Sequence, residues 1–308
     1  MVKIGVIGIG HVGSHVLYTL ALKGVADEIV LIDENEAKAK SEAQDLFDAS
    51  LYLPHKTKIY AGDFKDLKDC DVIIHAAGKI TLLRESKNRD AELNFTVPMV
   101  RSYIPKIKES GFHGIFINIT NPCDVITREF DKGLDLPKGH VFGTGTGLDT
   151  ARLVSQLEST TGVNAKSINA YMIGEHGNSQ MCSWSNVHLG GVSLAESGFN
   201  LDTKDVQYKA AQGGWVTFSG KYCTEYAIAS CAVNDVLCVL HDEKKIIPAS
   251  VELNGEYNQK DVYAGVPCVI GKNGVEKIVE LKLTQDEQEE FQACCDSIRL
   301  NIQKAKKL

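Results

Sequence analysis

No apolar run in this chain approaches the roughly 18 residues that a membrane span needs, and Lys and Arg form no stripe beyond the short tail Lys304, Lys306 and Lys307. With a formal net charge of −7, that distribution argues against a nucleic-acid backbone as partner. The nine cysteines include no C-x-x-C pair and no histidine at metal-ligand spacing, so no metal site is expected. Scattered and odd in number, they read as buried thiols of a reducing compartment. Internal repeats, low-complexity stretches and Pro-rich linkers are also missing. The opening Met1-Val2-Lys3-Ile4-Gly5 runs straight into a strand without a basic segment followed by an apolar stretch, which points to a cytoplasmic protein.

What is present is ample core material. At 308 residues and 44% hydrophobic content, the chain exceeds the about 250 residues beyond which single cores divide, so two domains are expected. Residues 2–7 form an apolar run suited to a buried strand, and Gly8-Ile9-Gly10-His11-Val12-Gly13 follows it just before the helical pattern Val16, Leu17, Leu20. In that setting Gly8 permits a tight turn, Gly10 lets the backbone approach a pyrophosphate, and Gly13 lets helix and strand pack closely, while the helix N-terminus offers N–H groups to the anion. The next strand, 28–32, ends at Asp33, where a carboxylate accepts from ribose hydroxyls and repels a 2′-phosphate, so NAD is preferred over NADP. His11 is expected to be an exposed bystander.

Short apolar strands at 57–61, 71–75 and 114–118 alternate with helical segments, the pattern of a doubly wound parallel α/β (Rossmann) sheet. Between His75 and Phe95 the charge-rich stretch 76–89, which holds a glycine at 78, has the composition of a mobile lid. Asn121-Pro122 sits past the next strand, at the carboxyl edge where such folds bind ligands. The strand near Val141-Phe142 opens into Gly143-Thr-Gly-Thr-Gly147, and Asp149 and Arg152 then lie three residues apart on one helix face. Residues 169–174 read as a strand that delivers His176 between Gly174 and Gly177, facing a cleft as a candidate acid/base. Beyond it come a long helix at 221–242, strands at 246–252 and 266–270, and a last helix opened by the capping box Thr284-Gln-Asp-Glu287 with Phe291, Cys295, Ile298 and Ile302 on its buried stripe. The expected division is a dinucleotide-binding domain at 1–145 and an α+β substrate domain at 146–308.

The set Gly8-x-Gly10-x-x-Gly13, Asp33, Arg89, Thr120-Asn121-Pro122, Leu148-Asp149-Thr-Ala-Arg152 and Gly174-Glu-His176-Gly resembles the lactate/malate dehydrogenase family, from Lys3 to the final helix. The resemblance implies that His176 is the acid/base, that Asp149 sets its tautomer and stabilises its cation, and that Arg152 grips the substrate carboxylate in a two-pronged pair. It further implies that Arg89 closes with the lid to polarise the ketone, that Asn121 bonds near the substrate oxygen, and that Thr224 and Ile228 line the pocket floor and the nicotinamide face. The cofactor implied is NAD, the partner a small 2-keto or 2-hydroxy acid, and the assembly a homodimer or homotetramer.

Within that family the 78–89 stretch is longer than in typical lactate dehydrogenases. Thr81, Leu82, Leu83 and Arg84 are candidates for the position facing the substrate side chain, and Asn178 replaces the Asp usual in lactate dehydrogenases. That stretch, with Glu109-Ser-Gly-Phe-His-Gly114, Gly143-Thr-Gly-Thr146 and Glu175-His-Gly-Asn-Ser-Gln180, looks closest to the L-2-hydroxyisocaproate dehydrogenase branch, which implies a branched or medium aliphatic 2-keto acid held against Leu82 and Leu83. L-Lactate dehydrogenase is the near alternative, malate dehydrogenase the alternative if Arg84 points inward, and a catalytically idle dinucleotide binder the alternative of another class. Val154 and Asn169 stand where enzymes activated by fructose 1,6-bisphosphate carry Arg and His, so no such activation is expected.

Overall fold

The computed structural model describes residues 1–79, 82 and 89–308, with backbone alone at 89–91. Thr81, Leu83, Arg84 and the side chain of Arg89 therefore lie outside the described residues. Strands β1 (Lys3–Ile7), β2 (Glu28–Ile32), β3 (Lys58–Ala61), β4 (Val72–His75), β5 (Ile115–Asn118) and β6 (Val141–Gly143) alternate with helices α1 (His11–Lys23), α2 (Glu36–Ala49), α3 (Arg89–Ser110) and α4 (Cys123–Leu134). All the pairings among these six strands are parallel. Helices cover such a sheet on both faces, which is why β4 and β5 are apolar along nearly their whole length and fully buried. The spatial order β6-β5-β4-β1-β2-β3 reverses between β1 and β4, and the crevice past the carboxyl ends of these two strands is the place for a ligand.

After α5 (Gly147–Thr161), short strands β7 (Ile168–Asn169), β8 (Met172–Ile173), β9 (Met181–Cys182), β10 (His188–Leu189) and β11 (Val192–Ser193) lead to α6 (Thr203–Lys221) and α7 (Tyr226–Leu240). An antiparallel meander of β12 (Lys245–Asn254), β13 (Lys260–Gly271) and β14 (Gly274–Ile278) precedes α8 (Gln285–Ala305). The meander joins the first sheet, with Ser250 of β12 opposite Gly143 of β6, so one nine-stranded sheet runs through both halves of the chain. A smaller cluster, with Leu153, Leu157, Met172 and Val206, fills the space beneath α5 and α6.

Three expectations change in detail. The strand expected at 169–174 is two short strands, because β7 pairs with β10 while β8 pairs with β9. The helix expected at 221–242 is α7 alone, since Tyr222 ends α6 in the left-handed region. Helix α6 has no apolar stripe to betray it, burying only Val206 and Ala210. The third change is β14, which continues the turn at 271–274 into a further strand.

Candidate active site

The glycine loop is shaped by close backbone approaches. Gly8 has φ +88°, and a Cβ there would lie 2.3 Å from the Ala77 backbone. A Cβ on Gly13 would lie 1.9 Å from the Gly8 carbonyl oxygen, so α1 cannot pack here with any larger residue. At Gly10 a Cβ would meet nothing within 4 Å, and this residue lines the main cavity. Asp33 is tied to the same loop, since its Oδ2 accepts the Ile9 N–H at 2.7 Å and its Oδ1 the Asn35 N–H at 2.9 Å. His11 is exposed but engaged, with Nδ1 3.0 Å from Glu225 Oε1. That contact joins α1 to the start of α7 and replaces the bystander expected from sequence.

Beyond β5, Asn118 organises the turn that carries Asn121. Its amide donates to the Thr120 and Cys123 carbonyls and to Thr127 Oγ1, and its Oδ1 accepts from Thr120 N–H and faces His75 Nδ1 at 3.1 Å. Asn121 precedes Pro122 through a cis peptide bond. Its buried Oδ1 has no hydrogen-bond partner among the described residues, and Asn121 lines the cavity. An unsatisfied buried acceptor at that place suits a ligand donor.

Asp149 lies in the first turn of α5, where the helix dipole favours an anion, and is 1% exposed. His176 Nδ1 lies 2.6 Å from its Oδ2, and Arg152 Nη1 donates to its Oδ1 at 3.1 Å. Burial alone would raise the Asp149 carboxyl, but the charges of His176 and Arg152, with hydrogen bonds from His176 and Gln180, outweigh it and hold the group below its ordinary value. A carboxylate so held favours the protonated imidazole on one side and orients the guanidinium on the other. His176 and Arg152 are each mostly buried.

A single cavity of about 280 Å³ touches Gly10, Asn121, Asp149, Arg152, His176, Thr224 and Ile228. Gly8, Gly13 and Asp33 are not among its lining residues; Gly8 and Gly13 belong to the loop that carries Gly10, and Asp33 is bonded to that loop at Ile9. Leu82 is half-buried, its N–H donating to the Lys79 carbonyl at 3.1 Å, and it is not among the cavity's lining residues. The cleft therefore runs from the glycine loop to the His176, Asp149 and Arg152 cluster, which is the arrangement a dinucleotide and a small carboxylate need. Among the described residues no group of three or more His, Cys, Asp or Glu could hold a metal ion, and no helix is long and apolar enough to cross a membrane.

Sequence reasoning passed over two features. Gly213 and Gly214 sit inside α6, and added Cβ atoms would lie 3.3 and 3.2 Å from the Arg152 side chain. Paired glycines in a helix interior cost about 1 kcal/mol each, a signal that the backbone must approach something closely. Asp124, in the first turn of α4, is buried and bonded both to the His176 backbone and to Ser250. Nothing local in the sequence marks it.

Comparison with known proteins gives one consistent result. Residues 2–143 match the model of the lactate/malate dehydrogenase NAD binding domain, and residues 146–308 that of the lactate/malate dehydrogenase alpha/beta C-terminal domain. The chain is 38% identical to the L-lactate dehydrogenase of Fusobacterium nucleatum subsp. nucleatum, over 99% of this chain and 97% of that one. It is 36% identical to L-lactate dehydrogenase 3 of Bacillus anthracis, over 96% of each. Its fold is similar to the crystal structure of MGS-M5, a lactate dehydrogenase from a Medee basin deep-sea metagenome library (TM-score 0.93, 32% identity, 99% of each chain). The minor L-lactate dehydrogenase of Enterococcus mundtii is equally similar (TM-score 0.93, 30% identity, 98% of each chain). The cofactor of the N-terminal half is NAD, and with both halves matched in order over nearly every residue the chain belongs to the lactate/malate dehydrogenase family.

Proposed function

We propose that this protein is an NAD-dependent 2-hydroxy-acid dehydrogenase whose preferred pair is L-lactate and pyruvate. The observation that carries the chemistry is Asp149 bonded at once to His176 and Arg152 on the wall of the cavity that begins at Gly10. The substrate choice is supported by the relatives above, whose names are L-lactate dehydrogenase. That ranking differs from the sequence reading, which put a branched 2-keto acid first on the strength of Leu82 and Leu83. Leu83 lies outside the described residues, and Leu82 lends that ranking no support from the cavity.

The glycine loop would hold the pyrophosphate of NAD, which when bound would supply or accept a hydride at the substrate's second carbon. The chain's own residues do the rest. Arg152 binds the carboxylate in a fork that Lys cannot reproduce. With Nδ1 turned to Asp149, His176 exchanges its proton through Nε2, donating to the ketone oxygen on reduction and taking it back on oxidation. Asp149 keeps that tautomer and stabilises the imidazolium. Arg89, at the start of α3, stabilises the charge that develops on the oxygen only in the transition state. Asn121 bonds beside it, and Thr224 and Ile228 close the floor. Asp33 at the ribose favours NAD over NADP.

Steady-state NADH oxidation with pyruvate, 2-ketoisocaproate and oxaloacetate tests the reading, since kcat/KM ratios report transition-state discrimination by the side-chain pocket. Pyruvate is expected to give the highest ratio. A higher ratio for 2-ketoisocaproate restores the branched-chain reading, a higher one for oxaloacetate makes the protein a malate dehydrogenase, and no turnover with any leaves an idle dinucleotide binder. Added fructose 1,6-bisphosphate is expected to leave the pyruvate KM unchanged. Exposed Phe47, Leu51 and Tyr52 at the end of α2 support a homodimer or homotetramer, which sedimentation checks.

A further inference from the structure

The segment that carries the acid/base is short and rich in freedom. Gly174 has φ +97° and Gly177 follows His176 directly, so the loop's own backbone does little to hold an imidazole in place. The fold restrains it from outside. Gly174 exchanges two backbone hydrogen bonds with Gly265 of β13, at 2.9 and 2.8 Å. The Glu175 carboxylate accepts from Ser179 Oγ at 2.7 Å and from Asn301 Nδ2 of α8 at 3.3 Å. Residue 176 itself is reached by Asp124, whose Oδ2 accepts the His176 backbone N–H at 3.0 Å.

The other oxygen of Asp124 accepts the Ser250 hydroxyl at 2.5 Å. Ser250 is the residue of β12 that pairs with Gly143 of β6, where the meander joins the parallel strands. Asp124 therefore sits at the seam of the sheet, 2% exposed, with each carboxyl oxygen committed to a different element. Burying a carboxyl there is costly, and enough to push it up to about 7. The parallel half, the antiparallel half and the His176 loop meet at this one side chain.

We propose that Asp124 is a positioning residue for the acid/base: it fixes the backbone of His176 while Asp149 fixes its ring. The two acids hold residue 176 at two points, backbone and ring, and Ser250 aims the first of them. The proposal rests on His176 being the proton-transfer group, as set out above. Misplacing a reacting group by about 1 Å costs on the order of 10²-fold in rate, so loss of the backbone anchor acts on turnover. It leaves NADH binding alone, because neither Asp124 nor Ser250 is among the lining residues of the cavity.

The experiment compares Asp124→Ala, Asp124→Leu and Asp124→Asn with the parent and with His176→Gln, measuring kcat and KM for pyruvate and the NADH dissociation constant by fluorescence. Asp124→Ala is expected to lower kcat roughly 10- to 100-fold with NADH affinity unchanged. Asp124→Asn keeps an acceptor for the His176 N–H and an amide donor for Ser250 Oγ, so it is expected to restore kcat to within about threefold of the parent. If the Ala variant does not fold, Asp124→Leu, close in shape and lacking the acceptor, takes its place with the same expected loss. A kcat within twofold of the parent in the acceptor-less variant overturns the proposal, and so does an equal loss of kcat and NADH affinity, or an Asn variant as slow as Ala. Full turnover in His176→Gln would instead overturn the acid/base assignment, so the two failures are separable.

Discussion

The two halves of the sheet carry their site residues in different ways. In the parallel half several lie within a few residues of a strand's carboxyl end: Gly8 and Gly10 after β1, Asp33 after β2 and Asn121 after β5. Within the Asn118 turn the bonds to Thr120, Cys123 and Thr127 are short in sequence, and the longer ones, Asp33 to Ile9 and Asn118 to His75, join neighbouring strand ends. In the half that carries His176 the contacts around that residue are long-range. His176 meets Asp149 across 27 residues and Asp124 across 52, and Ser250 meets Asp124 across 126. The first half binds a shape that the backbone itself can make. The second has to hold a few side chains in fixed relation, and only tertiary packing does that.

The sharpest break of this contrast is His176→Gln. General acid/base catalysis contributes about 10²–10⁴-fold, so kcat for pyruvate is expected to fall by about 10³-fold while the NADH dissociation constant stays within twofold. Matched losses in both would mean that the two halves do not divide binding from chemistry in this way.

The comparison also separates what could be read from sequence. The glycine loop, Asp33, Asn121 and the alternation of strands were legible because each depends on a local period or spacing, and Thr284 with Glu287 forms the expected reciprocal cap on α8. Asp149, Arg152 and His176 were legible as residue types in a familiar order, and their meeting is a fact of the fold. Asp124 and Ser250 were not legible at all, since an Asp in a helix's first turn is ordinary and a Ser in a strand is silent. Helix α6 escaped for a related reason. It presents a glycine pair to Arg152 where an amphipathic helix would present apolar side chains, so the periodicity that marks helices is missing.

A second contrast lies between His75 and His176, both mostly buried. His176 faces a carboxylate, whereas His75 faces the neutral amide of Asn118 and packs against Phe116 and Phe130. Complete burial lowers His75 to about 4, with the Asn118 hydrogen bond opposing only in part. The neutral ring is the one that fits the fold. Its contribution to stability is whole above the unfolded value near 6.5 and is lost as the pH falls from there to about 4, amounting to about 3 kcal/mol. Urea denaturation at pH 7.5, 5.5 and 4.5 is expected to show this loss in the parent and a flatter profile in His75→Leu. Equal slopes would mean that His75 is not held neutral by the core.

Gly13→Ala is expected to break the parallel half in the opposite sense from His176→Gln. The added Cβ meets the Gly8 carbonyl, and relieving an overpacked contact of this kind costs about 1–3 kcal/mol. NADH affinity and melting temperature are expected to fall together, with kcat at saturating NADH little changed. If kcat falls while NADH affinity holds, the glycine loop takes part in the chemistry and the division between the halves is wrong.

The smallest effect concerns a carboxyl that neither half uses. Asp235 of α7 is 2% exposed, and its Oδ2 has no hydrogen-bond partner among the described residues. Burial pushes it well above its ordinary value, with only the Asn234 side chain opposing. Asp124 is buried too, yet one of its oxygens accepts the His176 backbone N–H and the other the Ser250 hydroxyl, so the pair asks whether burial of a carboxyl here is put to use or merely tolerated. The neutral form of Asp235 suits the folded state, so its contribution is present below the unfolded value near 3.8 and is lost as the pH rises towards the folded one. Asp235→Asn keeps the shape and removes the ionisation. Its melting temperature is expected to exceed the parent's at pH 8 by roughly 2–4 °C, the shift that about 1 kcal/mol gives a domain of this kind, and to converge on it at pH 4. A melting temperature below the parent's at both pH values would mean that the carboxylate has a structural partner and that α7, like α4, turns its buried acid to account.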